Sequence, residues 1–95
     1  GERYIPLAFA LRLAEEYRRR DARKAALLTP REAEVVKLVA RGGSNKRIAA
    51  TLAISIHTVR AHIRSASDKL GAGSRIQVVT KAMQAGLLTR QDIIG

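Results

Sequence analysis

The sequence predicts an all-α protein, a four-helix bundle preceded by a separate N-terminal helix, on three observations. Apolar residues recur at helical spacing along the chain. The apolar content is Ala, Leu, Val and Ile, with two tyrosines, one phenylalanine and two prolines, a composition that suits helices better than sheets. Ser, Thr and Gly stand at the spacings of helix caps. At 95 residues the chain is one small domain, since two compact cores would each bury too little surface.

Pro6 suits the first turn of a helix. Phe9, Leu13 and Tyr17 follow at i, i+4 and i+8, beside a second row of Leu7, Leu11 and Ala14. After Tyr17 the chain reads RRRDARKAA, which favours helix but has little to bury. The spacing predicts an amphipathic helix over 6 to about 25 that frays at its end. It reads as a linker from another domain or a dimer support, with an ordinary helix packed on the core as the alternative. Residues 1–27 are therefore set apart from a domain at 28–95.

Thr29-Pro30-Arg31-Glu32 forms a capping box with Pro at the first helical position. The helix that starts there carries Val35, Leu38 and Val39 inward and stops at Gly42-Gly43. Ser44 caps a short helix, roughly 45–53, whose Ile48, Ala49 and Leu52 share one face. Ala53-Ile54-Ser55 is a tight turn, and Ser55 caps the next helix, about Ile56 to Leu70. Val59, Ile63, Ala66 and Leu70 make its inward stripe, leaving His57, Arg60, Ala61, Arg64 and Ser65 outward. Two helices so joined are a helix-turn-helix, whose second helix normally enters the major groove of DNA.

Gly71 ends that helix. Ser74 and Gln77 read as another capping box, opening a helix at roughly 75–85 with Ile76, Val79, Met83 and Leu87 inward. A weaker apolar face of Val78, Ala82 and Ala85 points away from the core and is a candidate dimer interface. Thr89 to Gly95 adds a last irregular turn.

The net charge of +10 arises from 18 basic and 8 acidic side chains, a bias towards polyanions. Val35 to Ser67 contains no acidic residue, while Lys37, Arg41, Lys46, Arg47, Arg60 and Arg64 all fall inside it. A merely solubilising surface would mix both signs, so this window favours a phosphate-facing surface. Arg60 and Arg64 lie one turn apart, where both guanidiniums can meet guanine O6 and N7, and Ala61 between them leaves room for a thymine methyl. The competing role for Arg64 is an i, i+4 pair with Asp68.

Catalysis is not expected. His57 and His62 are five apart, which is not the i, i+4 spacing that converges on zinc, and the chain has no cysteine to complete a ligand set. Gly71-Ala72-Gly73 lacks the rest of a nucleotide-binding loop, and the outward face has no nucleophile with a positioned carboxylate. The expectation is no metal, no cofactor and no small-molecule ligand in this domain. Ile5 to Ala14, the most apolar stretch, contains Arg12 and falls far short of the ~20 residues of a membrane span. With no signal pattern either, the expected location is the cytoplasm.

The blocks LTPRE, NKxIA, ISxxTVRxHI, KLG and SR lie at Leu28 to Glu32, Asn45 to Ala49, Ile54 to Ile63, Lys69 to Gly71 and Ser74-Arg75. Together they resemble the LuxR-type (GerE) helix-turn-helix domain over about residues 28–88. The N-terminal GxRYIPxxFAxxL is similar to the linker after the receiver domain of NarL/FixJ-type response regulators. The resemblance implies sequence-specific binding of double-stranded DNA as a homodimer on two half-sites, in a transcription regulator of a two-component system. It implies that Arg60, Ala61 and Arg64 face base edges, that Asn45, Lys46, Thr58, Val59, His62 and Lys69 approach phosphates, and that the last core helix dimerises. Three positions depart from the family pattern. Gly43 replaces an apolar residue, which predicts a looser loop; Arg47 replaces an acidic one, which adds a phosphate contact; and Gly73 stands where some members have a basic contact. Alternatives are a stand-alone or quorum-sensing-type LuxR regulator, or a protein-interaction module, since helix-turn-helix folds also bind RNA polymerase subunits and other proteins.

Overall fold

A computed structural model describes residues 6–94, so Gly1 to Ile5 of the N-terminal pattern and Gly95 lie outside the described residues. These form six helices: α1 (Leu7–Ala26), α2 (Pro30–Ala40), α3 (Asn45–Leu52), α4 (Ile56–Leu70), α5 (Arg75–Gln84) and α6 (Arg90–Ile94). The molecule measures 59 Å along its longest axis against 26 and 23 Å across it. α1 is largely free of the body: Ala25 is its one buried residue, reaching the helices α4 and α5, while Leu7, Phe9, Leu11, Leu13 and Tyr17 are exposed. It does not fray where its apolar rows end, because Leu27 and Leu28 N–H groups close its last turn on the Lys24 and Ala25 carbonyls.

The core has two buried clusters, and α2 stands between them. Val36 joins Ala25, Ala66, Leu70, Val78, Ala82 and Leu88 on one side, while Val35 and Val39 join Ile48, Ala49 and Val59 on the other. Val79 of α5 packs against both. Val36 was not among the residues the α2 pattern sends inward. A helix covered on two flanks buries adjacent positions, which a single-stripe template misses.

α5 is rotated from the sequence expectation. Val78 and Ala82 are fully buried and Ala85 is half-buried against the same cluster, whereas Ile76 is 76% exposed and Met83 is exposed. Arg75 explains the rotation: its guanidinium donates to Asn45 Oδ1 and to the Gly43 carbonyl, each at 2.8 Å, which aims this side of α5 at the α3 loop. At about 100° per residue, Val78, Val79 and Ala82 lie within about 60° of Arg75, while Ile76 and Met83 lie about 80–100° away. The dimer interface expected at Val78, Ala82 and Ala85 is therefore corrected, because that face is the monomer core.

The caps are largely those the sequence predicts. Thr29 and Glu32 form the reciprocal capping box, and Ser44, Ser55 and Ser74 each accept from the third N–H beyond them. The second expected box is different: Gln77 Oε1 accepts from the Gly73 N–H at 2.6 Å. Thr89 to Ile94 is not irregular, since Thr89 and Asp92 cap each other and Arg41 Nε donates to the Asp92 carbonyl at 2.6 Å.

One buried acid ties α2 to α4. Glu32, 4% exposed, accepts from Thr29 N–H at 2.8 Å and from Lys69 Nζ at 2.7 Å through the same oxygen. Burial by itself would raise its pKa, but hydrogen bonds from Lys69, Ser65 and the Thr29 N–H together with the Lys69 charge outweigh it and bring the carboxyl to about 2.

Two predictions follow from this packing. Val78→Glu buries an unpaired charge and abolishes the cooperative thermal transition seen by circular dichroism, whereas Ile76→Glu keeps it, with a change within about 0.5 kcal/mol. Because the Glu32 pKa is depressed from 4.5 to about 2, its contribution is present above about pH 4.5 and lost as pH falls towards 2. Urea titrations at pH 7 and pH 3 should show a loss from this group of about 2 kcal/mol, out of about 3 kcal/mol at the acid limit. Glu32→Gln should flatten that dependence.

Candidate nucleic-acid interface

The helix-turn-helix is built by local chemistry. α3 ends at Ala53, a non-glycine residue in the left-handed region at φ 56°. That conformation is normally unfavourable with a Cβ. Here it is held by the Ile54 N–H, which donates to the Ala49 carbonyl at 3.0 Å, and by Ile54 packing half-buried on the second cluster. Ser55 Oγ then accepts from the Thr58 N–H at 3.0 Å and lies 2.9 Å from the Thr58 hydroxyl. α4 runs to Gly71, whose φ of 67° lets Ala72 N–H return to the Ser67 carbonyl.

Val59, Ala66 and Leu70 are buried and Ile63 half-buried, as the stripe predicts. The opposite face of α4 is an open concavity lined by His57, Arg60, Ala61, Arg64, Ser65 and Asp68. Arg60, Ala61 and Arg64 are exposed on it. Among the described residues neither arginine has a carboxylate within ion-pair distance, so the competing Arg64–Asp68 pair does not form. Two guanidiniums one turn apart are thus presented without an internal partner, in the geometry that reads a row of acceptors.

The expected phosphate contacts divide. Lys46 is exposed on the first turn of α3, and Thr58 and His62 are half-buried on the flank of α4. Asn45 is half-buried with Oδ1 taken by Arg75, which leaves its amide group as donor. Val59 cannot serve, because its side chain is fully buried and its N–H bonds the Ser55 carbonyl at 3.1 Å. Lys69 is held inward by Glu32 rather than extended to a phosphate, the physical reason being that a buried carboxylate needs its cation.

Arg47 is exposed but lies in a different cleft, with Leu38, Arg41, Gly42, Gly43, Ile48 and Thr51. The loop expected to be loose at Gly43 is instead pinned at both ends, its N–H on the Leu38 carbonyl and its carbonyl on Arg75. Sequence reasoning missed Arg75 as the organiser of this corner. Its bond to Asn45 spans 30 residues, and no local periodicity reports such a contact.

No helix among the described residues is long and apolar enough to cross a membrane. No group of three or more His, Asp or Glu side chains among them is placed to hold a metal ion.

Comparison with known proteins identifies the family. The family model described as bacterial regulatory proteins, luxR family, matches residues 26–82. A Mycobacterium bovis protein carrying the name of an HTH-type transcriptional regulator is 45% identical over 80 residues, 84% of this chain and 9% of its own length. The transcriptional regulatory protein YdfI of Bacillus subtilis is 43% identical over 72 residues, 76% of this chain and 34% of its own. The oxygen regulatory protein NreC of Staphylococcus aureus is 33% identical over 95 residues, 93% of this chain and 44% of its own. The chain thus spans less than half the length of each of these relatives. With the matched segment running from the last residue of α1 to the last turn of α5 and enclosing the whole helix-turn-helix, the chain belongs to the luxR family of bacterial regulatory proteins.

Proposed function

We propose that this chain binds double-stranded DNA in a sequence-specific manner and regulates transcription, with α4 in the major groove. The observation that carries the reading is the pair of exposed, unpaired arginines, Arg60 and Arg64, one turn apart beside the small Ala61. Arg60 and Arg64 address base edges, while Lys46, the Asn45 amide, Thr58 and His62 hold the backbone on either side. Family membership and the regulator names of the relatives support this reading. Residues 28–95 serve as the DNA-binding unit and residues 1–27 as a linker to a receiver, in a two-component response regulator acting in the cytoplasm on promoters served by RNA polymerase. No enzymatic step is assigned to it.

Two copies bind adjacent half-sites. The surface that suits the contact is the exposed row Ile76, Thr80 and Met83 of α5, at i, i+4 and i+7, which puts two large apolar side chains in water on a helix whose Val78 and Ala82 are core.

Operator sequences selected from a random duplex pool supply the test substrate. Arg60→Ala should lose ~1–3 kcal/mol of discrimination between the selected and a random duplex. Lys46→Ala should weaken both alike and lower the salt slope by about one. Equal losses from Arg60→Ala on both duplexes would remove base reading by Arg60, and weak binding that ignores salt would remove the DNA reading. Ile76→Glu should keep single half-site affinity and lose cooperativity across two half-sites in gel-shift titrations.

A further inference from the structure

The concavity on α4 contains one acid. Asp68 lines it together with His57, Arg60, Ala61, Arg64 and Ser65, and is the only acidic residue of α4. Its place is central rather than peripheral: at about 100° per residue it lies about 20° around the helix from His57 and about 40° from Arg64. It is exposed, and among the described residues no cation lies within ion-pair distance of its carboxylate.

The fold does not account for this side chain. α4 ends at Leu70, so Asp68 stands in the last turn, where the helix dipole favours a cation and disfavours a carboxylate. Aspartate is also among the weaker helix formers. Its contact with the helix stop is made by the main chain, the Asp68 carbonyl accepting from the Gly71 N–H at 3.3 Å, a bond any residue there would supply. A carboxylate set against its own helix, in the middle of a face that otherwise carries two arginines, fits a partner outside the chain. Resting on the DNA reading above, we propose that Asp68 is a further specificity-determining residue, whose carboxylate accepts from the N4 amino group of a cytosine in the major groove.

Base chemistry selects this occupant. Guanine and thymine present acceptors to a carboxylate, and adenine sets its N7 acceptor beside its amino group, whereas cytosine presents a donor alone. A short aspartate side chain needs the helix close, and Ala61 and Ser65, the small residues of the same face, allow that approach. Arg64 precedes Asp68 by four residues, about 6 Å along the axis and on the order of two base-pair steps. The cytosine therefore lies close to the guanine that Arg64 meets. The same carboxylate repels a duplex that brings an acceptor or a phosphate to this point, so it adds specificity by weakening wrong sequences as well as by fitting the right one.

The test compares wild type, Asp68→Ala and Glu16→Gln, the last removing an acidic charge on exposed α1. Each is titrated by fluorescence anisotropy against the selected duplex and a random duplex at one salt concentration. Asp68→Ala should bind the selected duplex about tenfold more weakly and the random duplex no more weakly, with its thermal midpoint not lowered. A second pool selection, made with Asp68→Ala, should lose the preference for cytosine at one position only. Placing 2-pyrimidinone, a cytosine base without its amino group, at that position should weaken wild type as much as the substitution does and leave Asp68→Ala unchanged. The proposal is overturned if Asp68→Ala shifts both duplexes by the same factor, if Glu16→Gln reproduces its effect, or if the lost preference is not for cytosine. It is equally overturned if 2-pyrimidinone weakens the variant as it does wild type, or if the thermal midpoint falls. Those outcomes leave the DNA reading standing, because wild type still prefers the selected duplex. Weak wild-type binding that ignores salt removes the DNA reading and this proposal together.

Discussion

The Glu32 carboxylate is the interaction on which the placement of α4 depends. One oxygen closes the capping box at the start of α2 and also receives Lys69 from the last turn of α4. A buried carboxylate left without its cation is costly, so the two helices are held together at this end by the penalty for separating them. At the other end of α4, Val59 is sealed among Val35, Val39, Ile48 and Ala49. Between these two fixings the helix has no freedom to roll, and its outward row stays outward. In the proposed role, affinity for a rigid duplex benefits because less disorder must be lost on binding.

A second tie sets α5. Arg75 reaches across to Asn45 and Gly43, closing the loop before α3 and rotating α5 so that Val78 and Ala82 complete the first cluster. The chain thus uses chemically identical side chains for opposite purposes. Arg75 is spent on the fold, Arg41 is half-spent on α6, and Arg47, Arg60 and Arg64 are left facing outward. Net charge counts all five equally. Their hydrogen-bond partners separate scaffold from surface.

The exposed face of α4 was legible because it depends on short-range rules. The stripe of Val59, Ile63, Ala66 and Leu70 fixes which side of α4 is dry, and Arg60, Ala61 and Arg64 follow by subtraction. The Val78 and Lys69 expectations failed for one shared reason. α5 carries apolar residues on two sides, and the choice between them lies with Arg75, whose partner is in another helix. Lys69 looks solvent-facing from its neighbours alone, while the acid that holds it sits 37 residues earlier. The Gly43 loop was misjudged in the same way, since its tightness comes from Leu38 and Arg75 together.

By itself the sequence determined where α2 to α5 begin and end, the register of the helix-turn-helix turn and the inward stripe of α4. Caps, left-handed stops and 3.6-residue periodicity act within a few residues, so they are written in the local order of side chains. Only the tertiary structure decided which face of α5 is core, that Lys69 is bound to Glu32, and that Leu38, Arg41, Gly43 and Arg47 line a common cleft. Each of those rests on groups far apart in the chain, whose meeting depends on how all the helices pack at once.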